Sequence, residues 1–243
     1  MRSYRTLFGL AVALFVIGGQ QAIAQSTLFN IPSTDAVSKG KGYFEFDFFA
    51  QMPTTSGTPR LYTYAPRIIA GVGHGVEVGT NVVMFHSSST QSYLQPNLKW
   101  RFAANDDKGL AASAGAMWIT PMNNRSSVDS FGMVYGNFSK KVKSSDYGPR
   151  ITLGGYGLVD TDGLAKHEGG GIVGLEQPVH PKVTLLADWF TGKNFFGYFT
   201  PGVSFTLPHA SLLNIGYSIG NDSFKEPKNN NRALFIYYGI TFP

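Results

Sequence analysis

Between Gln95 and Phe102 the chain alternates strictly: Gln95, Asn97, Lys99 and Arg101 take one parity, and Pro96, Leu98, Trp100 and Phe102 the other. Successive side chains of a strand point to opposite faces, so this segment has one charged face and one apolar face. The split recurs later. Phe199, Pro201, Val203, Phe205 and Leu207 oppose Tyr198, Thr200, Gly202, Ser204 and Thr206, and Leu213, Ile215, Tyr217 and Ile219 oppose Asn214, Gly216 and Ser218. No long window carries apolar residues at the spacing of a helix face. Alternation and turn punctuation instead predict about twelve strands. They cover 43–50, 60–72, 76–85, 92–103, 110–119, 130–142, 150–159, 168–177, 183–191, 195–207, 211–219 and 232–242.

Two kinds of connection alternate between these strands. Tight ones fall at Gly73-His74-Gly75, Asn105 to Gly109, Ser144 to Asp146, His180 to Lys182 and Pro208-His209; the others, at 51–59, 86–91, 120–129, 160–167, 192–194 and 220–231, are mostly longer. The tight turns recur every ~28 to 39 residues, the spacing of a two-strand hairpin, without an obvious sequence repeat. A meander of antiparallel strands follows, and 243 residues suit a single large barrel.

The direction of the apolar face decides the class. In a water-soluble sandwich or barrel it would be the core. About twelve strands closed into one barrel, however, leave an interior too wide for apolar side chains to fill. The aromatic residues of the apolar parity also gather near strand ends. Trp100, Phe102, Phe138, Phe205 and Phe242 mark the tight-turn edge; Trp118, Trp189, Tyr62, Tyr64 and Tyr217 mark the opposite edge. Two aromatic belts flanking an apolar band match a bilayer and its two interfaces. The prediction is an all-β fold, a transmembrane antiparallel up-and-down β-barrel of about 12 strands with its polar parity inward.

The first residues change the picture of where the chain goes. Arg2 and Arg5 precede an apolar run from Leu7 to Ile17, and Ala22-Ile23-Ala24 follows, the three-part pattern of a cleavable secretory signal peptide over 1–24. The expected division is a signal peptide at 1–24, a periplasmic N-terminal segment at 25–42 and a barrel at 43–243. The segment "QSTLFNIPSTDAVSKGKG" either trails in the periplasm or folds into the lumen, and the sequence does not choose. Beyond the signal, nothing approaches the ~20 apolar residues of a membrane helix. The formal charge of +5 includes Arg2 and Arg5, and no block of like charge occurs, so nucleic acid is not implied as a partner. With no cysteine, disulfides, a cysteine zinc site and a thiol nucleophile are excluded.

These residues resemble the outer-membrane β-barrel proteins of Gram-negative bacteria across almost the whole mature chain. The final strand "RALFIYYGITFP" places Leu234, Ile236, Tyr238, Ile240 and Phe242 on one face, similar to the terminal strand that the barrel-insertion machinery reads in that group. Pro243 departs from the pattern by making the aromatic penultimate. The resemblance implies a bacterial outer-membrane location reached through the periplasm, with outer-membrane lipid as surroundings. Tight turns and both termini are then periplasmic, and long loops external. No oligomeric state follows.

The inward parity holds Glu45, Asp47, Glu77, Glu168, Glu176 and Asp188 as acids and Arg67, Lys99, Arg101, Lys141 and Arg150 as bases. Charged groups lining a lumen set a local field and a constriction, as in pores. The selectivity candidates are Glu45, Asp47, Arg67, Glu77, Lys99, Arg101, Arg150, Glu176 and Asp188. They point to a passive pore or channel for small polar solutes or ions through a narrow mixed-charge lumen. Alternatively they form a salt-bridged filling, as in small closed barrels that serve as anchors or receptors. A third reading is enzymatic. His86-Ser87-Ser88 resembles the His-x-Ser pair of outer-membrane phospholipase A, a twelve-stranded barrel whose catalytic histidine needs an orienting Asn. Here Asn97 shares the inward parity of Lys99 and should point away from His86, and a serine-rich loop start accounts for the motif. His74, His180, His209 and His167 stand singly in turns and loops, so no metal site and no cofactor are expected. Gly71-x-Gly73-x-Gly75 lacks the helix of a phosphate loop and reads as a hairpin turn.

Overall fold

The computed structural model describes residues 26–52, 59–126, 128–142, 145–162, 165, 167–222 and 231–243. The expected signal peptide lies outside them. The alternating segments form twelve strands: β1 (Gly42–Gln51), β2 (Tyr62–Gly73), β3 (Val76–His86), β4 (Thr90–Asn105), β5 (Leu110–Pro121), β6 (Phe131–Lys141), β7 (Arg150–Val159), β8 (Gly169–His180), β9 (Val183–Phe190), β10 (Tyr198–Leu207), β11 (Ser211–Gly220) and β12 (Arg232–Phe242). Each pairs antiparallel with its neighbour in sequence, and β1 pairs with β12 from Gly42↔Phe242 to Gln51↔Ala233, which closes the barrel. Closure leaves no sheet edge with unpaired backbone groups, the condition for a strand-built wall in lipid.

Ends differ from expectation by a few residues, for local reasons. β10 starts at Tyr198 instead of Phe195 because Phe195 and Phe196 lie in a turn closed by the Gly197 N–H on Asn194 O at 2.9 Å. Register shifts occur at Gly71/Gly73, Arg101/Ala103 and Pro178/His180, all near the tight-turn end, where bulges adjust a barrel rim. At the tightest turn His74 has φ 53° between two glycines, and a Cβ on Gly75 would lie 2.3 Å from Arg101 O, so no other residue fits there.

The wall is inverted relative to a soluble protein. Lys99 is 3% exposed, while its neighbours Leu98 and Trp100 are 47% and 51% exposed. Outward positions such as Ile68, Val78, Val134, Leu153, Leu175 and Leu185 are large, apolar and exposed; inward positions such as Glu45, Glu77, Asn81, Asn137, Asp188 and Asn214 are buried. The outer aromatic belts appear where the parity put them, with Trp100, Phe102, Phe138 and Phe242 exposed at one end and Trp118, Trp189 and Tyr217 at the other.

The interior is not left to strand side chains. Of the two placements open to the N-terminal segment, the inner one is observed. Residues Ser26 to Ser33 turn back on themselves through a Thr27↔Pro32 bridge and hydrogen bonds from Leu28 N to Ile31 O and from Ser33 N to Ser26 O, both 3.0 Å. Leu28 and Ile31 pack against Met133, Tyr156, Leu158, Ile172 and Phe190. Phe29 and Val37 pack on the other side against Tyr43, Ile69, Leu186, Leu212, Phe235 and Tyr237. Each of these four side chains is worth about 2 kcal/mol in removed apolar area. Glycines make the room: a Cβ on Gly174 would sit 2.7 Å from Ile31 Cδ1, and one on Gly216 2.8 Å from the Phe29 ring.

Candidate functional site: a plugged lumen with a cavity at the loop end

The inward face of each strand changes character along its length. On β1 it runs from Glu45 and Asp47 to Phe49, on β3 from Glu77 and Asn81 to Val83 and Phe85, and on β4 from Arg101, Lys99, Asn97 and Gln95 to Tyr93. On these three strands the inward face is therefore polar toward the tight turns and aromatic toward the loops.

Inward polar residues grip the N-terminal segment. Lys99 Nζ lies 2.9 Å from Glu77 and donates to the backbone oxygen and hydroxyl of Ser26 at 3.1 and 3.0 Å. Glu77 accepts from the Ser26 hydroxyl at 2.6 Å and from Val37 N–H at 2.7 Å. Arg67 lies 2.9 Å from Glu45, and both reach the Thr27 hydroxyl. Arg150 makes two bonds to Glu176 at 2.5 and 2.7 Å and two to Asp35 at 3.0 and 2.8 Å. Burial alone would raise the Asp35 carboxyl, but the charge and hydrogen bonds of Arg150, with smaller contributions from Lys99 and Arg101, outweigh it and hold the group below the usual carboxylate range. Asp188 accepts the backbone N–H groups of Phe29, Asn30 and Ile31 and the Asn30 amide. Asn137 and Asn214 donate to Pro32 O and Leu28 O at 2.6 and 3.1 Å.

The structure thus brings Glu45, Arg67, Glu77, Lys99, Arg150, Glu176 and Asp188 together around one segment rather than around open water. Arg101 stands apart at the tight-turn rim, 3.4 Å from the exposed Asp106. Asp47 carries no such contact to the segment, and its Oδ1 is buried without a hydrogen-bond partner among the described residues. Glu168 corrects the parity expectation: β8 begins at Gly169, so Glu168 sits exposed at the loop rim, bonded to Thr161. Asp35, Ser26, Asn137 and Asn214 were not singled out by sequence, because the first two lie in a segment without alternation and the last two are uncharged.

Above the segment a cavity of about 620 Å³ fills the loop half of the barrel. Ser26, Thr27, Phe29, Asn30 and Pro32 contribute its floor, and it reaches the long-loop rim at Leu61, Phe195 and Asn231. Just outside this rim His86 Nδ1 pairs with the Thr90 hydroxyl at 2.8 Å, while Asn97 bonds Asn81 at 3.2 Å on the inner face. The His-x-Ser motif therefore lacks the orienting Asn97, as its parity required.

A closed antiparallel wall, apolar and belted with aromatics outside, charged and buried inside, has one solvent on each face that satisfies it. The chain is a transmembrane β-barrel. No protein-family model matches this barrel, and no curated protein matches it. Among solved structures it is similar to outer membrane protein Omp33 of Acinetobacter baumannii, with 10% identity, a TM-score of 0.45, and 83% of this chain and 99% of that one covered. It is similar also to an active-site variant of outer membrane phospholipase A from Escherichia coli, with 10% identity, a TM-score of 0.44 and 96% of each chain covered. A further structure, solved in work on in-meso crystallisation of membrane proteins, shares 13% identity at a TM-score of 0.42 over 82% and 83% of the two chains.

Proposed function

We propose that this barrel passes small solutes across the bacterial outer membrane, along a route from the loop-end cavity to the tight-turn end, and that the N-terminal segment closes the route in the described conformation. The observation that carries the reading is the cavity itself, floored by a segment that ion pairs and hydrogen bonds hold in place. A barrel that served only as an anchor has no need of a cavity of this size, within the range of small-molecule sites. The charged lumen residues then act first as the clasp of the closed state. Once the segment moves, the same residues line the passage as a mixed-charge constriction.

A permanently filled barrel is the second reading, favoured by the complete burial of Leu28, Ile31 and Ser33. The two separate in a planar bilayer. After a heat-dependent gel shift has established a folded barrel, the solute route predicts rare, discrete conductance steps for the mature protein and frequent ones when residues 26–38 are removed. A folded barrel that stays silent in both forms removes the route.

A further inference from the structure

Charge and shape in the cavity go further than the route and name a class of solute. Four charged residues line the cavity among the described residues: Asp47, Arg67, Glu77 and Lys99. Arg67 is paired with Glu45 at 2.9 Å and Lys99 with Glu77 at 2.9 Å, so both cations are neutralised by direct contact. Asp47 is the lining charge that enters neither pair. The neutral polar residues of the lining answer one another: Asn81 accepts from Arg67 Nε at 2.8 Å and from the Asn97 amide, and donates to Gln95. What the polar side of the cavity leaves over is the Asp47 carboxyl, whose Oδ1 is buried without a hydrogen-bond partner among the described residues.

The other wall is aromatic. Phe49 meets Tyr198 edge-on with centroids 5.6 Å apart, Phe85 meets Tyr93 at 5.8 Å, and Phe131 meets Phe195 at 5.1 Å. Ring faces attract cations as well as apolar surface. A carboxylate ligand would bring a second acid against Asp47, while both lining cations among the described residues are already engaged, Arg67 with Glu45 and Lys99 with Glu77. A protonated amine is favoured by both walls.

We propose that the cavity is a binding site for a small cationic amphiphile, with an aromatic or fused-ring body among Phe49, Phe85, Tyr93, Phe131 and Tyr198 and a protonated amine directed to Asp47. The proposal rests on the solute-route reading, whose substrate class it names.

The test uses the full mature barrel in lipid nanodiscs, with empty nanodiscs subtracted, and three probes with one naphthyl body: 2-naphthylmethylamine, 2-methylnaphthalene and 2-naphthoate. Calorimetric titration is expected to show saturable binding of the amine at least about tenfold tighter than of the carboxylate, roughly 1.4 kcal/mol. D47N is expected to abolish that preference and leave the methyl compound unaffected. Equal or tighter binding of naphthoate by the unaltered protein overturns the proposal without recourse to any variant, as does an undiminished amine preference in folded D47N. Swelling of proteoliposomes in the same amine is scored separately. Saturable binding with no swelling, either in the mature barrel or in one lacking residues 26–38, removes the route and leaves the site; swelling without amine preference removes the site and leaves the route.

Discussion

Asp188 caps a turn of the N-terminal segment: its Oδ2 accepts the backbone N–H of Asn30 at 2.6 Å, with the N–H groups of Phe29 and Ile31 at 2.9 and 3.0 Å from the same oxygen. One carboxylate thus satisfies three consecutive donors, an arrangement that binds anions strongly wherever backbone N–H groups converge. Asp188→Ala leaves those donors buried and unmet, at about 1–3 kcal/mol for each. The wall pairs strand to strand without Asp188's side chain, so the heat-dependent gel shift should survive while conductance steps become more frequent. A variant that is folded and as quiet as the parent would show that Asp188 does not hold the closed state.

Lys99 and Arg101 sit two residues apart on one inner face, yet their replacement should differ sharply in effect. Lys99 and Glu77 are both nearly inaccessible, and Lys99→Met strands a buried carboxylate, a loss of about 3–5 kcal/mol. Arg101 faces Asp106, which is 93% exposed, and such a pair is worth about 0–1 kcal/mol. Urea unfolding in lipid bilayers measures both. Similar losses for Lys99→Met and Arg101→Met would contradict the buried clasp.

The alternation around Lys99 was enough to place twelve strands and to turn the wall inside out, because parity is a property of neighbouring residues. The clasp was not legible in the same way. Asn30 and Asp188 are 158 residues apart, and the segment 26–41 has neither strand alternation nor helical period. What the chain does carry is a weaker sign: Gly174, Gly202 and Gly216 fall on the inward parity, where a pore would have a side chain, and each lies against Leu28, Phe29 or Ile31. Charge alone did not decide the state of the lumen, since a row of inward ions suits an open pore and a gripped segment equally.

The contact between Phe29 and Gly216 can be tested as a pair. A Cβ at position 216 would meet Phe29 Cε1 and Cζ at 2.8 Å and Thr200 Cγ2 at 2.9 Å. Gly216→Val should push the Phe29 ring out and cost about 1–3 kcal/mol by overpacking. Phe29→Ala alone should cost about 3–5 kcal/mol. Combined, the two should cost less than their sum, because the small side chain at 29 receives the valine. Strict additivity in urea unfolding would place Phe29 away from Gly216.

Asp35 gives the closed state a dependence on acid. Its folded value lies below the ordinary 3.8, chiefly because Arg150 outweighs the effect of burial. A group depressed in this way stabilises the docked segment fully above that ordinary value and loses the contribution as pH falls through the folded value. Asp35→Asn lacks the ion pair at every pH. Pepsin cleavage within 26–38 should therefore be faster in Asp35→Asn than in the parent at pH 5, and the two rates should draw together as pH falls below 3.8. Comparing the proteins at each pH removes the change in the protease itself. Equal rates for the two proteins at pH 5 would mean that Asp35 does not hold the segment through its charge.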